Sequence, residues 1–259
     1  VAIALFIKKK GEKKGCKVYH SEIWGLRERK YDWLLENDIK TTDWQKLSPK
    51  SEFYLFIPRD ERFLELYEKY QKITDIFPLN SVGIVTARDN LTIKWTPEEV
   101  WTTVLNFSKI DSESARLAYK LGKDARDWKV ELAQKDLIDS GLNKKRIVPI
   151  LYRPFDIRYT YYTGKSRGFH CMPRSEVMRH MMQENLGIHT CRQTSSSPWQ
   201  HILATSGITD DCYVSNRTRE RGYLFPLYLY PNTDKKDLFS HARESEKRQP
   251  NISPELFAA

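Results

Sequence analysis

Lys144-Lys145-Arg146-Ile147-Val148-Pro149-Ile150-Leu151-Tyr152-Arg153-Pro154-Phe155-Asp156-Ile157-Arg158-Tyr159-Thr160-Tyr161-Tyr162-Thr163 is the stretch that decides the fold. Residues 146–152 read as a short strand. Pro154 pushes Arg153 towards an extended conformation and ends that strand, and the aromatic-rich run 156–163 reads as a second one. Asp156 and Arg158 lie two apart, so on a strand they share a face and can pair. The same stretch opens a basic segment, residues 144–179. Its nine cations (Lys144, Lys145, Arg146, Arg153, Arg158, Lys165, Arg167, Arg174 and Arg179) face only Asp156 and Glu176, which gives +7 of the chain's +9. Tyr152, Phe155, Tyr159, Tyr161, Tyr162 and Phe169 are interleaved with them. Guanidinium groups pair with phosphates while rings stack or wedge, so this mixture suits a nucleic-acid backbone and its bases. A solvated basic face over an ordinary aromatic core has the same composition.

Working outward, charge is unevenly spread. Residues 1–30 carry +6, residues 31–143 carry −4, and residues 180–259 balance. A surface polarised in this way associates with polyanions, DNA or RNA first among them. No apolar run approaches the roughly 20 residues of a spanning helix, which argues against a membrane partner. Hydrophobic content of 40% with seven Trp and 14 Tyr indicates a folded chain with a sizeable core. The four cysteines show no CxxC spacing and no signal peptide precedes them, so they read as reduced thiols in a cytoplasmic protein.

The first half reads as mostly helical. Val1–Ile7 has the character of an interior strand whose sheet partners lie upstream, with 16–20 returning beside it after a charged turn. A helix is expected from Ser21 to about Glu36, a strand over 52–57, and a helix capped by Asp60. A hairpin is expected from 82–86 and 91–94 around Ala87-Arg88-Asp89-Asn90. Thr96-Pro97-Glu98-Glu99 is a strong helix start. Further helices follow near 111–121 and 123–139, the latter stopped by Gly141. From residue 146 the pattern changes to short strands (146–152, 156–163, 186–192, 200–205, 211–215 and 223–229), interrupted by one helix at 175–183. The fold class is α+β, with a helical first half and a mostly antiparallel twisted sheet in the second. Ser253-Pro254-Glu255 starts a helix that the chain end cuts short, so the sequence reads as a fragment.

Catalytic constellations are sparse. There is no GxGxxG or GxxxxGK[ST] loop, no HExxH, no GxSxG elbow, and no Cys/His set with metal-ligand spacing. Asp210-Asp211 reads as a turn more readily than as a metal pair. Thr86 and Arg88, at the tip of Gly83-Ile84-Val85-Thr86-Ala87-Arg88-Asp89, are candidate phosphate contacts, although Arg88 with Asp89 would also close a turn.

Tyr152-Arg153-Pro154-Phe155-Asp156-Ile157-Arg158, together with Phe225-Pro226-Leu227-Tyr228-Leu229-Tyr230, resembles the C-terminal specificity region of type ISP restriction-modification enzymes. Ile76-Phe77, Gly83-Ile84, Thr86, Arg88-Asp89, Met181 and Asn185 fit the same pattern. In that family one polypeptide joins a nuclease, an ATP-dependent translocase, a coupler, an adenine-N6 methyltransferase and a target recognition domain. The resemblance implies the last elements of the methyltransferase in residues 1–57, a recognition domain in 58–240, and a linker with the start of a helix in 241–259. It implies duplex DNA and the upstream methyltransferase domain as partners, in a prokaryotic cytoplasm. S-adenosylmethionine, ATP and magnesium would serve the parent, and none is assigned to this segment.

Charge and position then nominate a DNA-binding set. Lys144, Lys145, Arg146, Lys165, Arg167, Arg174 and Arg179, with Thr86 and Arg88, are expected to hold the backbone, while Arg153 and Arg158 are either further DNA contacts or structural residues fixed by buried carboxylates. Gln193, Ser195, Ser196, Gln200, Asn216, Arg217 and Arg219 on loops are expected to reach base edges. A docking module inside a larger nucleic-acid enzyme and an RNA-binding module are the alternatives.

Overall fold

The computed structural model describes residues 3–7, 10–11, 15–50, 54–217, 220–231 and 248–257. The chain divides into two compact units, Val1–Tyr70 and Gln71–Ala259.

In the first unit β1 (Val18–His20) pairs antiparallel with β2 (Gln45–Leu47), and α1 (Arg27–Glu36) lies between them in sequence. The expected pairing of 16–20 with the opening apolar run does not occur. Ile3–Ile7 form no strand, and β1 pairs with 45–47 instead. Residues 1–2 and 52–53 lie outside the described set, and 54–57 are not extended pairing strand: Tyr54 sits at φ +45°. The first helix starts later than Ser21 because Gly25 turns the chain at φ +131°. Only one turn, α2 (Leu64–Tyr67), forms after Asp60, whose carboxylate is taken by Arg62.

The second unit begins with α3 (Ile73–Ile76), β3 (Ser81–Val82), α4 (Asp89–Thr92) and β4 (Ile93–Lys94). The single turn α4 sends the flanking segments into different sheets, so 82–86 and 91–94 do not make a hairpin. Instead β3 pairs with β9 (Gly222–Pro226), and β4 pairs with β6 (Asp156–Tyr161). α5 (Pro97–Lys109) starts on a full capping box, with Thr96 Oγ1 accepting from Glu99 N–H at 3.2 Å and Glu99 reaching back. Such a cap is worth about 0.5–2 kcal/mol. Val100, Val104 and Phe107 follow at helical spacing and are buried.

α6 (Ser112–Ala118) and α7 (Val130–Asp139) complete a helical layer. The stretch 123–129 is a loop because Trp128 is drawn fully into the core, its indole N–H donating to Phe169 O at 3.3 Å. Gly141 ends α7 at φ +74°, as its position predicts. β5 (Ile147–Arg153) then pairs with β6 from Ile147↔Tyr161 to Arg153↔Asp156, with a bulge near the turn. α8 (Ser175–Met181) leads into β7 (Gly187–Cys191), β8 (Ile202–Thr205) and β9, followed by β10 (Tyr228–Leu229), β11 (Gln249–Pro250) and α9 (Pro254–Phe257).

The second half is therefore antiparallel but split. One sheet runs β3-β9-β7-β8, a second runs β4-β6-β5, and β10 pairs with β11. Residues 211–215 are a turn rather than a strand: Asp210 accepts Cys212 N–H on Oδ1 and Tyr213 N–H on its carbonyl.

The three-stranded sheet is buried on both faces. Tyr161 and Phe169 join Val104, Phe107, Trp128 and Leu137 in a core under the helical layer. On the opposite face Ile150 joins Ile84, Val177, Met178, Ile208 and Leu224, which fixes the two sheets against each other. Gly83 makes that junction possible, since a Cβ there would stand 2.3 Å from Asp210 O.

Candidate nucleic-acid interface

The β5–β6 ladder places the predicted site residues at two ends. Lys144–Arg146 form a 3₁₀ turn just before β5, where Arg146 O accepts Tyr162 N–H at 2.8 Å. Lys165 and Arg167 sit on the loop leaving β6 at that same end. Buried Asp136 anchors this loop by accepting from Thr163 Oγ1 at 2.7 Å and Phe169 N–H at 2.8 Å. Lys165 pairs with Asp139 at 3.1 Å and Arg167 with Asp127 at 3.3 Å, both on the surface. Such exposed pairs are worth about 0–1 kcal/mol and exchange readily for another anion. Lys144, Lys145 and Arg146 have no carboxylate within ion-pair distance among the described residues, and Lys144 Nζ lies 5.5 Å from the Trp101 ring centre.

At the other end, about 20 Å away along the strand (seven residues at ~3.3 Å each), the arginines are engaged internally. Arg153 Nη1 bonds Asp210 Oδ1 at 2.6 Å and also donates to Tyr152 O. Arg158 pairs with Asp156 through Nε at 3.0 Å and Nη2 at 2.9 Å, the strand-face pair that the spacing predicts. Trp95, Arg158, Tyr152 and Arg153 stack in that order, each guanidinium carbon 3.9–4.3 Å from its ring centre. Tyr152 Oη donates to Asp89 Oδ2 at 2.8 Å, and burial with this bond pushes its phenol up to about 12.

Three further candidates are also held. Arg88 donates to three backbone carbonyls, of Ala87, Leu121 and Lys123, and packs on Trp128. Thr86 is buried and donates to Asp89. Arg179 donates to Tyr230 O at 2.8 Å. Arg174, in the left-handed region at φ +54°, begins α8 and rests on Met172 Sδ at 3.2 Å.

The loop candidates converge. β7, β8 and β9 are antiparallel, so loop 192–201 and the segment entering β9 emerge at one end of the four-stranded sheet. Glu220 ties them together, its carboxylate accepting from Ser195 N–H and from Ser215 Oγ. His201 Nε2 sits 3.1 Å from Ser196 Oγ and 3.3 Å from Thr194 Oγ1, bracing the loop from within. Gln193, Ser195, Gln200, Asn216 and Arg217 remain exposed. Arg219 lies outside the described residues.

Two arginines that the sequence reading passed over join this end. Exposed Arg192 extends over the Tyr223 ring at 5.8 Å, and Arg221 stands 3.8 Å from Asp211. Their only sequence signal is adjacency to Gln193 and to the Arg217–Arg221 run.

A cleft of about 360 Å³ separates the hairpin from this loop end, lined by Thr86, Asp89, Arg153, Asp210, Asp211 and Asn216 among others. Donor atoms of Asp210, Asp211 and Cys212 lie within 4.8 Å of one another. The set does not fit magnesium. Burial raises Asp210 to about 7 despite Arg153 beside it, and burial with the two aspartates pushes the Cys212 thiol up to about 12. A hard cation needs ionised oxygen donors, and Arg153 already occupies the best of them. The three cysteines of this unit, Cys171, Cys191 and Cys212, are buried.

The antiparallel sheets of this unit thus present tied polar loops and arginines at one end. Residues 75–259 match the Type ISP C-terminal specificity domain, and the chain belongs to that family. No curated protein matches it. Among solved structures, the chain resembles the DrdV–DNA complex at 18% identity and TM-score 0.52, covering 90% of this chain and 23% of that one. A nuclease-deletion mutant of the Type ISP restriction-modification enzyme LlaGI in complex with a DNA substrate mimic aligns at 18% and TM-score 0.53, over 91% and 19%. The ATP-dependent Type ISP restriction-modification enzyme LlaBIII bound to DNA aligns at 18% and 0.51, over 83% and 14%. The chain thus spans about a fifth of the length of the solved chains whose fold it shares.

Proposed function

We propose that the second unit recognises a specific sequence in duplex DNA as the target recognition domain of a restriction-modification enzyme. The observation that carries this reading is the loop end of the four-stranded sheet. There Glu220 pre-organises exposed Gln193, Ser195, Gln200, Asn216 and Arg217 on a rigid scaffold, flanked by Arg192 and Arg221. Amide, hydroxyl and guanidinium groups are the side chains that read base edges in the major groove. Membership in the specificity-domain family supports the same assignment.

Phosphate contacts are assigned to the cations that have no buried partner. These are Lys144, Lys145 and Arg146 with Lys165 and Arg167 beside the start of β5, and Arg192 and Arg217 at the loop end of the four-stranded sheet. Arg88, Arg153, Arg158 and Arg179 are given structural roles, because each would have to abandon internal acceptors to meet a phosphate.

Residues 1–57 are assigned to the end of an adenine-N6 methyltransferase domain of the parent polypeptide, and 241–259 to a linker with the start of a helix. S-adenosylmethionine, ATP and magnesium belong to the parent's other segments, and no residue of this chain is assigned to them. The setting proposed is a prokaryotic cytoplasm; among the described residues no helix is long and apolar enough to cross a membrane.

Mobility-shift titrations on duplex DNA at several salt concentrations test the assignment. Binding that weakens steeply with salt, and that is competed by duplex far better than by single strands or RNA, is expected. A chain indifferent to duplex would belong to the docking class instead.

A further inference from the structure

We propose that Phe155 is a wedge that enters the base stack of the bound duplex beside the bases read by the loops. The inference rests on the duplex-DNA reading above and adds to it a residue and a mode of contact. Phe155 sits at the tip of the β5–β6 hairpin, between Pro154 and Asp156, and is 101% exposed. Its backbone lies at φ +64°, a region that glycine and asparagine occupy easily and a bulky aromatic does not. The position therefore carries two independent costs, an unburied ring and a strained backbone. Strain at one residue persists only where the surroundings impose it, and such residues concentrate at functional sites.

The surroundings here are unusually firm. Pro154 fixes its own φ. Directly behind the tip, the Trp95–Arg158–Tyr152–Arg153 stack is clamped by Asp156, Asp89 and Asp210. The ring takes no part in that stack and stands fully in solvent. The two arginines behind it are paired with carboxylates, and Ile157 and Trp95 are also exposed.

A rigid protruding ring on a basic domain matches the apolar side chains that unstack a base step. Position supports DNA as the occupant over a protein surface. Arg153, two residues from Phe155, lines the same cleft as Asn216, so the tip and the tied loops flank one opening. Arg217 follows Asn216 directly, and Arg192 and Arg221 stand at the same sheet end, supplying the cationic flanks that a duplex requires.

The test uses the full chain with duplexes that it selects from a randomised pool, each carrying 2-aminopurine at successive positions. Wild type is expected to brighten the probe at one step. Phe155→Ala is expected to abolish that brightening and weaken binding about tenfold, or ~1.4 kcal/mol, while Phe155→Trp keeps both. Because the ring makes no packing contact, melting temperature should not fall in either variant, which separates the effect from misfolding. Unchanged brightening and affinity in Phe155→Ala would overturn the wedge alone. So would a wild type that selects a duplex but brightens no step. A wild type that selects no duplex would overturn the DNA reading itself.

Discussion

Arg153 and Asp210, 57 residues apart in sequence, bring Nη1 and Oδ1 to 2.6 Å and lock the β5–β6 hairpin to the segment that crosses from β8 to β9. Asp210 is nearly buried, with 4% of its side chain exposed, and Arg153 retains 22%. The pair turns a potential backbone contact into a brace between the two sheets.

Removing that guanidinium strands a buried carboxylate, a loss that typically costs about 3–5 kcal/mol. Arg153→Met should therefore destabilise the second unit strongly at pH 8. Asp210 already titrates near 7 because of burial, so at pH 5 it is largely protonated and the arginine matters less. Urea unfolding should show a clearly smaller deficit at pH 5 than at pH 8, and adding Asp210→Asn should restore part of the loss. Equal deficits at both values would show that the pair is not the brace.

Three buried histidines set the acid limit. Burial lowers His170, His180 and His189 from the ordinary 6.5 to about 4, and His180 Nδ1 accepts Tyr230 N–H at 2.8 Å, which requires the neutral ring. The native state thus binds fewer protons than the unfolded chain between about pH 6.5 and 4, so this stabilisation is lost as pH falls through that window. Asp210 works the other way: its raised value favours the native state as pH falls from 7 towards 4. Three groups against one leave a net loss on the order of several kcal/mol. Stability measured from pH 7 to 4.5 should decline; a flat profile would contradict the buried neutral rings.

Some of this architecture was legible from local sequence. The capping box at Thr96 and Glu99, the stop at Gly141, the strands over 147–161 and the Asp156–Arg158 pair all depend on residues within four positions of one another. What the sequence concealed is non-local. Whether Arg153 meets a phosphate or Asp210 depends on a segment 57 residues away, and Arg88 finds carbonyls on Leu121 and Lys123. The single sheet expected from six short strands became a four-stranded sheet, a three-stranded sheet and the β10–β11 pair, because α4 diverts the chain and Gly83 lets β3 pass against Asp210. Charge counting could place the basic segment but not divide it into free lysines at one end and neutralised arginines at the other.

That division gives a salt prediction. Replacing Lys144, Lys145 and Arg146 together by alanine should flatten log K against log salt by about 0.9 for each phosphate that the variant no longer neutralises. Arg88→Ala and Arg179→Ala should lower the melting temperature and leave the slope of the folded protein unchanged. The reverse pattern would place the backbone contacts at the wrong end of the ladder.

Glu220 makes a separate prediction, because it is buried and organises the loops through Ser195 and Ser215. Glu220→Ala releases Ser195 and Ser215 and should cost at least tenfold on the selected sequence, about 1.4 kcal/mol, while binding to random duplex stays the same. A parallel loss on both DNAs would mean that the tie supports general affinity rather than reading.

The central claim is that the tied loops read sequence, and the ratio of affinities for a selected and a random duplex at one salt concentration tests it most directly. The account predicts a ratio of about a thousand or more for wild type. It also predicts a drop of ~1–3 kcal/mol on the selected duplex alone when Gln200 or Asn216 becomes alanine. A ratio near one, or variants that weaken both duplexes equally, would contradict it.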